Sequence, residues 1–341
     1  METVSIAMAT YNGAKFIIEQ LESLARQSCL PHEVVVSDDC STDGTVELIE
    51  AFAKDAPFEI RIVRNEINRG YRDNFMHAAS LCKSSIVAFC DQDDIWHPDK
   101  LQETLKYFED PVVKLVHHNA NIVDAHGRFV RVALTSRMLS EKLAPRYFAL
   151  GFTEVFRGEL LAFSQLRDLS VDHQKPSQKL AHDQWIFFLA VALGKVVFIE
   201  KSLVDYRQHA KNAYGLKAES ILARTLKKTR HSIKSFPGVA RFAESGADIL
   251  SRISRNYADN DPIKDSLVSR AEKFSRLNVW YQNRFLTYTD SRIGGRMRAL
   301  GHLAFSGAYR SSDPWAFGAA NLVADATLGV LFGSLFKRLN D

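Results

Sequence analysis

The stretch IVAFCDQDD (86–94) decides the fold class, because five apolar residues are followed at once by three carboxylates, Asp91, Asp93 and Asp94. A short apolar run that ends in polar residues is typical of a strand buried in a parallel sheet. Clustered carboxylates repel one another, and a hard divalent cation such as Mg²⁺ or Mn²⁺ neutralises them with oxygen ligands. An acidic turn that caps the next helix explains the same residues, and the run alone favours neither explanation.

The stretch VVVSDDCSTDGT (34–45) repeats this pattern of an apolar strand that ends in acids and hydroxyls. Thr42 or Asp43 fits the N-cap of a helix that begins near residue 45. Asp38 and Asp39 lie at the strand edge that faces the first loop, where a carboxylate can accept a hydrogen bond from a nucleobase or a ribose hydroxyl. These two adjacent acids therefore predict a nucleotide site.

The segments around both stretches alternate between strands and helices. Apolar runs predict strands at 4–9, 33–37, 59–63 and 86–90. Apolar positions at helical spacing predict helices after residue 13, at 45–54 and at 74–82. This alternation predicts an α/β fold with a Rossmann-like, mostly parallel sheet, helices on both faces, and ligands at the carboxyl ends of the strands.

The last third of the chain has a different pattern. A helix at 99–108 and a strand at 113–117 continue the first domain, and the pattern is mixed up to residue 207. Amphipathic helices are predicted at 220–234, 239–255 and 263–286, with breaks at Pro237-Gly238 and Asn260-Asp261-Pro262. We therefore expect a catalytic α/β domain at 1–215 and a mainly helical region at 216–341.

The composition excludes several classes of protein. With 341 residues, 46% hydrophobic and 25% charged, 9 Pro and 17 Gly, the chain is neither collagen-like, disordered nor a disulfide scaffold. Its cysteines have no CxxC spacing and predict reduced thiols: Cys29, Cys40, Cys82 and Cys90. The first residues lack the basic and apolar regions of a signal peptide, so we expect a cytoplasmic location.

The charge is distributed unevenly along the chain. Residues 216–341 contain 20 Lys and Arg against 11 Asp and Glu, or +9, and the remainder contains 24 against 29, or −5. A basic region suits an anionic surface such as phospholipid headgroups or a pyrophosphate-linked acceptor. We expect no nucleic-acid partner, because no helix-turn-helix, zinc finger or aromatic-stacking motif accompanies the basic residues.

The most hydrophobic late stretch is 315–336. It contains Asn321 and Asp325, and a charged side chain near the centre of a membrane-spanning helix is costly, so a spanning helix is disfavoured. One interpretation is an interfacial helix on the inner face of the cytoplasmic membrane, with Lys337-Arg338 near lipid headgroups. The other is packing on the catalytic domain or on a second copy in a homodimer.

The motifs occur in a fixed order: ATYN (9–12), VSDDCSTDGT (36–45), NRGYRDNF (68–75), FCDQDDIWHPDKL (89–101), HDQW (182–185) and YRQHAKNAYG (206–215). This set resembles the family-2 inverting glycosyltransferases, and it is most similar to their bacterial rhamnosyltransferase-like branch. The resemblance covers roughly the first 215 residues. It implies a GT-A fold, a nucleotide diphosphate sugar donor with dTDP-rhamnose as first choice, a lipid-linked or polysaccharide acceptor, and Mg²⁺ or Mn²⁺.

The resemblance also implies roles for single residues. It assigns to the donor nucleotide Thr10, Tyr11, Asp38, Asp39, Asn65, Gly70, Asn74, Asp91 and Gln92. It assigns to the metal Asp91, Asp93 and His209, to the diphosphate Arg207, and to an acceptor loop within 150–210 Gly158 and Glu159. Asp183 at the start of an apolar helical run becomes the general base, although a plain helix-capping role also fits it.

Two rival functions remain open. A nucleotidyltransferase shares the Rossmann-like architecture and metal-binding acids, but it should have a Gly-rich phosphate loop with a basic residue after the first strand. This chain has Ala9-Thr10-Tyr11-Asn12-Gly13 there. A non-catalytic membrane-docking scaffold should lack Asp93 or Asp183, and both are present.

Overall fold

The structure is a computed structural model that describes residues 2–133, 149–208, 221–310, 315–331 and 333. The chain divides into two compact units. The first is formed mainly by Met1–Leu143, Tyr147–Arg167 and Leu180–Tyr214, and the second mainly by Asp168–Lys179 and Gly215–Asp341. The segment 168–179 therefore joins the second unit, although it precedes the predicted boundary at residue 215.

The first unit is built on a mixed sheet. Four of its strands are parallel neighbours in the order β3 (Glu59–Arg64), β2 (Glu33–Asp38), β1 (Val4–Thr10) and β4 (Ile86–Cys90). Strands β1, β2 and β4 are buried along nearly their whole length, as their apolar runs predict. The strand order reverses between β1 and β4, and such a switch point opens a crevice at the carboxyl ends of the strands.

The sheet continues beyond β4 with strands that are not all parallel. The remaining strands are β5 (Ile95–Trp96), β6 (Val113–Val123), β7 (Phe129–Ala133), β8 (Val155–Arg157) and β9 (Lys195–Arg207). Strand β8 is antiparallel to both β4 and β6, whereas β6 and β9 are parallel. Strand β5 follows the acidic stretch and pairs antiparallel with β9, which ties that stretch to the far part of the sheet.

Helices cover this sheet and complete the core of the first unit. They are α1 (Ile17–Ala25), α2 (Thr45–Ala53), α3 (Tyr71–Ser80), α4 (Lys100–Leu105) and α5 (His182–Leu193), with 3₁₀ segments at Lys106–Glu109, Gly151–Thr153 and Gly158–Leu169. The apolar faces of α1, α2 and α4 pack with the strands in one cluster of aliphatic and aromatic side chains. The α/β prediction with a GT-A type of sheet is confirmed.

The second unit is helical in its described part. Its helices are α6 (Ile221–Ser254), α7 (Pro262–Thr289), α8 (Ile293–Phe305) and α9 (Ala319–Ala324), which continues as a π-helix over Asp325–Leu331. The predicted break at Pro237-Gly238 is wrong, because α6 continues through both residues. A Cβ atom on Gly238 would lie 2.4 Å from the His173 carbonyl oxygen, so glycine permits the segment 168–179 to approach the helix.

The apolar stretch after Trp315 is anchored to this unit by a buried acid. Asp325 accepts hydrogen bonds from the hydroxyls of Tyr288 (2.8 Å) and Tyr309 (2.7 Å), and it pairs with Arg284. Such a buried charge is stable only when it is paired and hydrogen-bonded. No helix in the described part of the chain combines the length and the apolar character needed to cross a bilayer.

Candidate active site

The crevice at the switch point brings three polar strand ends together. The register pairs Thr10 at the end of β1 with Asp38 on β2, and Met8 on β1 with Cys90 at the end of β4. The loops that follow these strands begin with Tyr11, Asp39 and Asp91, so all three leave the sheet at the same edge. The parallel register therefore places the predicted nucleotide and metal residues side by side.

Asp38 is committed to the protein itself. Its Oδ1 accepts from the hydroxyls of Thr10 (2.8 Å) and Ser41 (2.5 Å), and its Oδ2 accepts from the Ser41 amide. Asp38 and Thr10 are both buried. The pair fixes the loops after β1 and β2 to one another, and its contact with a nucleotide stays a prediction.

Asp39 organises the loop between β3 and α3. Its carboxylate accepts from the backbone amides of Arg69 (2.7 Å) and Gly70 (2.8 Å) and from the Asn65 side chain (3.1 Å). Gly70 has a φ of 74°, which glycine adopts without strain. Asn65 also donates to Asn74, and both amides are buried. These residues are brought together as predicted, but their polar groups face one another.

Gln92 connects the acidic loop to the loop after β1. Its side chain accepts from the Tyr11 amide (2.9 Å) and donates to the Tyr11 carbonyl (3.1 Å). Gly13 makes this possible, because a Cβ atom there would lie 2.3 Å from Gln92 Oε1. The backbone of Tyr11 is thereby fixed while its ring is 52% exposed, so the aromatic ring is available to a ligand.

The acidic loop gathers carboxylates with few compensating charges. Asp91 and Asp93 are partly exposed. Burial of the carboxyl group and the charges of Asp93 and Asp183 raise the pKa of Asp91 to about 7. Within the described residues no three acidic, histidine or cysteine side chains are arranged to hold a metal ion by themselves. His209, the third predicted ligand, lies outside the described residues.

Arg207, the residue predicted to contact the diphosphate, binds the acidic loop. Its guanidinium donates to the backbone oxygens of Asp93 (3.1 Å) and Ala125 (3.3 Å), pairs with Glu19, and lies over the Phe16 ring. The side chain is buried and holds the acidic loop, and its contact with a diphosphate stays a prediction. The sequence motif could not reveal these loop contacts, because partners from distant segments meet only in the fold.

Asp183 lies in the first turn of α5, where its Oδ1 accepts from the Gln184 amide at 2.8 Å. The ring of the neighbouring His182 stacks on the Phe75 ring, with 4.0 Å between the two ring centroids. This contact fixes the start of the helix. Asp183 is partly exposed as a residue, but burial of its carboxyl group raises the pKa of that group to about 6. A rigid, accessible carboxylate with a raised pKa has the properties of a general base.

Glu154 is a site residue that the sequence analysis missed. It is fully buried just before β8, and neither of its carboxylate oxygens has a hydrogen-bond partner among the described residues. Burial and the charge of Asp183 raise its pKa well above the usual range. A single acid in the otherwise uncharged run GFTEVF (151–156) is the signal that could have revealed it.

Two missed basic residues lie near the acids. Lys100 is buried, donates to the Phe152 carbonyl (2.7 Å) and lies over the Trp96 ring, and burial lowers its pKa to about 7. The charge of Arg72, at the start of α3, opposes the raised pKa of Asp183. Both residues look like ordinary first-turn helix residues in the sequence, so no local signal marks them.

The predicted acceptor residues Gly158 and Glu159 lie at the end of the sheet opposite Asp91. Strand β8 is antiparallel to β4, and the Gly158 amide donates to the Ser85 carbonyl at the start of β4. At ~3.3 Å per residue this is roughly 20 Å along the strand from Asp91. Glu159 pairs with Lys114 there. Both residues therefore lie far from Asp91, and their contact with the acceptor stays a prediction.

The segment Gly151–Thr153 occupies the position beside the candidate base instead. A Cβ atom on Gly151 would lie 2.7 Å from His182 Nε2 and 3.3 Å from Asp183 Cβ. Only glycine permits this close approach. The side of the site near Asp183 is therefore formed by Gly151–Thr153 and Glu154.

Comparison with known proteins agrees with this geometry. The sequence model of Glycosyl transferase family 2 matches residues 5–158. The dTDP-rhamnosyl transferase RfbG of Shigella flexneri is 30% identical over an alignment of 222 residues, and the match covers 61% of this chain and 73% of RfbG. An uncharacterized glycosyltransferase of Nostoc sp. is 26% identical over an alignment of 286 residues, and the match covers 81% of this chain and 84% of that protein.

The fold has a solved counterpart. The crystal structure of S. aureus TarS 1–349 in complex with UDP-GlcNAc is 20% identical, with a TM-score of 0.52, and the match covers 99% of this chain and 91% of that chain. At this identity the likeness shows the fold alone. Together with the relatives and the family match, it leads to one conclusion: this chain belongs to glycosyl transferase family 2 and has the GT-A fold.

Proposed function

We propose that the protein is an inverting glycosyltransferase whose general base is Asp183. The observation that carries this proposal is a partly exposed carboxylate with a pKa of about 6, near enough to Asp91 for its charge to raise the pKa of that residue. A base must lie within reach of the acceptor hydroxyl, on the face opposite the leaving diphosphate. Asp183 begins a helix and Asp91 follows a strand. Asp183 can therefore serve the acceptor hydroxyl while Asp91 serves the donor diphosphate.

The reaction follows from these positions. Asp183 takes the proton of the acceptor hydroxyl as that oxygen attacks the anomeric carbon of the donor sugar. The bond from the anomeric carbon to the diphosphate oxygen breaks on the opposite face, and the nucleoside diphosphate leaves with the electron pair. Because attack and departure are in line, the sugar is transferred with inversion, and no covalent sugar-enzyme intermediate is needed.

The acidic loop suits Mg²⁺ or Mn²⁺ that arrives with the donor. Asp91 and Asp93 provide two carboxylates, and Mg²⁺ is usually held by one or two carboxylates together with substrate phosphates and water. Burial and the neighbouring carboxylates of Asp93 and Asp183 raise the pKa of Asp91 even though the charge of Lys100 opposes them, so a bound cation would stabilise the ionised loop. A bound divalent ion supplies charge stabilisation to the leaving diphosphate.

The donor and acceptor are proposed from chemistry and similarity. The 30% identity to a dTDP-rhamnosyl transferase supports dTDP-rhamnose as the first donor to test. The Tyr11 ring and the loops held by Asp38 and Asp39 would contact its nucleoside. We propose as acceptor a lipid-linked or polysaccharide glycan of a bacterial surface polymer, reached from the cytoplasmic face of the membrane. The catalytic part is 1–215, and the basic helical part at 216–341 attaches the enzyme to that membrane.

A panel of sugar nucleotides tests this proposal. We expect the purified protein to release a nucleoside diphosphate from dTDP-rhamnose when Mg²⁺ or Mn²⁺ is present, faster when a lipid-linked acceptor is added. UDP-GlcNAc and GDP-mannose serve as donor controls. Release from another donor would correct the sugar. Release of pyrophosphate from a nucleoside triphosphate and a sugar phosphate would instead identify a nucleotidyltransferase and overturn the proposal.

A further inference from the structure

Helix α8 in the second unit has two apolar faces. One face, with Ala299 and Leu303, is buried in this unit. The other carries Ile293 and Met297, which are 53% and 60% exposed. Residues three and four positions apart share a helix face, so partly buried Leu300 and exposed Ala304 extend the same stripe. Packing within the second unit therefore leaves this apolar stripe exposed.

Further apolar side chains are exposed close to this stripe. Phe305, the last residue of α8, is 93% exposed. The Arg296 guanidinium, on the buried side of α8, donates to the Val330 carbonyl at 2.9 Å and so brings the end of the π-helix alongside. Leu331, the next residue, is 59% exposed. A contiguous set of exposed large apolar residues usually marks an interaction site.

The charge around the stripe is mainly positive, although the Asp290 carboxylate lies beside Gly295 at the start of α8. The segment 291–310 contains four arginines and no aspartate or glutamate. Arg292, Arg298 and Arg310 are exposed. Apolar side chains bordered by arginines match the junction between the headgroups and the acyl chains of an anionic bilayer.

We infer that α8 is the membrane-docking surface of the protein and that it binds anionic lipid. A second copy of the chain is a poorer occupant, because a two-fold dimer places identical surfaces against each other. In such an interface two patches with four arginines each would face one another, and Asp290 beside α8 would compensate only part of that charge. This inference deepens the proposed function, since a lipid-linked acceptor requires the enzyme to work at a membrane.

The inference also relocates the membrane contact. Of the apolar stretch at 315–336, Asp325 faces Tyr288 and Tyr309 inside the second unit, and the Trp315 ring packs against Phe274 at 5.2 Å. Those side chains are therefore used to build the unit. In the described part of the second unit, Val323 and Leu331 of this stretch remain exposed, and α8 adds Ile293, Met297 and Phe305.

Co-sedimentation of the full-length protein with vesicles tests the inference. We expect wild type to bind vesicles of phosphatidylglycerol mixed with phosphatidylcholine and to bind phosphatidylcholine alone much more weakly. Met297→Glu should weaken binding to the mixed vesicles by about tenfold or more, because it places a negative charge in the apolar stripe. Arg298→Gln should weaken it by about fivefold, the equivalent of ~1 kcal/mol for one basic residue near an anionic surface.

Val268→Glu is the matched control. Val268 is 42% exposed on α7, and it lies ~30 Å along that helix from the turn into α8, at ~1.5 Å per residue. The Val268→Glu variant should bind vesicles within about twofold of wild type, because its added negative charge lies far from α8. Metal-dependent release of nucleoside diphosphate in solution should be unchanged in Met297→Glu, which separates failure of docking from failure of catalysis.

Three results would overturn the inference. Wild type that binds neither vesicle at low salt would remove it, as would Met297→Glu that binds as tightly as wild type. Sedimentation that shows a wild-type dimer and a Met297→Glu monomer, without an effect on vesicle binding, would assign α8 to a subunit interface instead.

Discussion

The two acidic strand ends of the first unit contain the same residue type but differ in their hydrogen-bond partners. After β2, each of the four carboxylate oxygens of Asp38 and Asp39 accepts at least one hydrogen bond from the protein. After β4, the Oδ2 atom of buried Asp94 has no donor among the described residues, and the same holds for both oxygens of nearby Glu154.

This difference distinguishes supporting acids, which the protein surrounds with donors, from acids whose charge it leaves largely uncompensated, among which we expect the reactive ones. A carboxylate that accepts several N–H or O–H groups is stabilised in its ionised form, and the loops that supply those groups are fixed in return. A buried carboxylate without donors stays high in free energy until a proton or a cation reaches it. Buried carboxylates with such shifted pKa values are typical of functional sites.

Removing one acid of the loop after β4 should have the largest effect. We expect Asp93→Asn to lower transfer by at least ~10³-fold, because a bound metal contributes several kcal/mol to stabilising the leaving group. The folded protein should be at least as stable as wild type, since the substitution relieves repulsion with Asp91. Steady-state transfer with and without a chelator measures the first effect, and thermal unfolding measures the second.

Glu159→Gln is the control for this prediction. It also removes one carboxylate, but Glu159 lies at the opposite end of β4 and pairs with Lys114. Its transfer rate should stay near that of wild type. Full activity of Asp93→Asn, or wild-type activity that a chelator leaves unchanged, would remove the metal role of the acidic loop.

The base is expected to give a smaller effect with a distinct pH signature. Asp183→Asn should reduce turnover by ~10²–10⁴ while donor affinity stays nearly constant. Because Asp183 must be ionised to accept a proton and its pKa is about 6, the wild-type rate should fall as the pH drops through about 6. A collapse of donor affinity with retained turnover would instead place Asp183 in the donor site.

Replacing an aspartate after β2 by asparagine should lower the free energy of unfolding, whereas the same replacement at Asp183 should raise it. Asp39→Asn replaces one acceptor oxygen by an amide that cannot accept from the Arg69 or Gly70 amide. We expect a loss of about 2 kcal/mol in the free energy of unfolding, the usual value for a hydrogen bond to a charged group. Asp183→Asn should instead gain up to ~3 kcal/mol near neutral pH, because ionising a group of raised pKa opposes folding.

Denaturant unfolding of both variants at one pH decides between these signs. A change of the same sign in the two proteins would break the distinction between supporting and reactive acids. Asp38→Asn is a useful companion, because Thr10 and Ser41 donate to its carboxylate in the same way. Its free energy of unfolding should fall as that of Asp39→Asn does.

The sequence predicted the parts of this structure that depend on local patterns. The runs at 4–9, 33–37 and 86–90 became β1, β2 and β4, because a strand buried on both faces must be continuously apolar. Pro237 shows where local signals fail: its helix-breaking tendency is overridden, and α6 continues through it.

The candidate site shows the same limit. Asp91, Asp93 and Asp183 could be selected from sequence because each follows a recognisable strand or begins a helix. Arg207, Glu159 and Glu154 could not be placed. Their surroundings depend on pairing between β4, β8 and β9, and the direction of β8 determines which end of the sheet each residue reaches. Such long-range register has no local signature.

The smallest expected effect concerns Glu154 and the pH dependence of stability. Its folded-state pKa is raised, so above the unfolded-state value of about 4.3 the native protein binds more protons than the unfolded chain. Stability must then fall as the pH rises through this window, by at most ~1.4 kcal/mol per pH unit for one group. Glu154→Gln removes this contribution and leaves those of Asp91 and Asp183, so its free energy of unfolding should decline less steeply between about pH 5 and pH 7. Urea unfolding at several pH values measures both slopes, with Glu159→Gln as an exposed-carboxylate control that should follow wild type. Parallel slopes for wild type and Glu154→Gln would mean that Glu154 gains a partner in solution, and it would then belong with the supporting acids after β2.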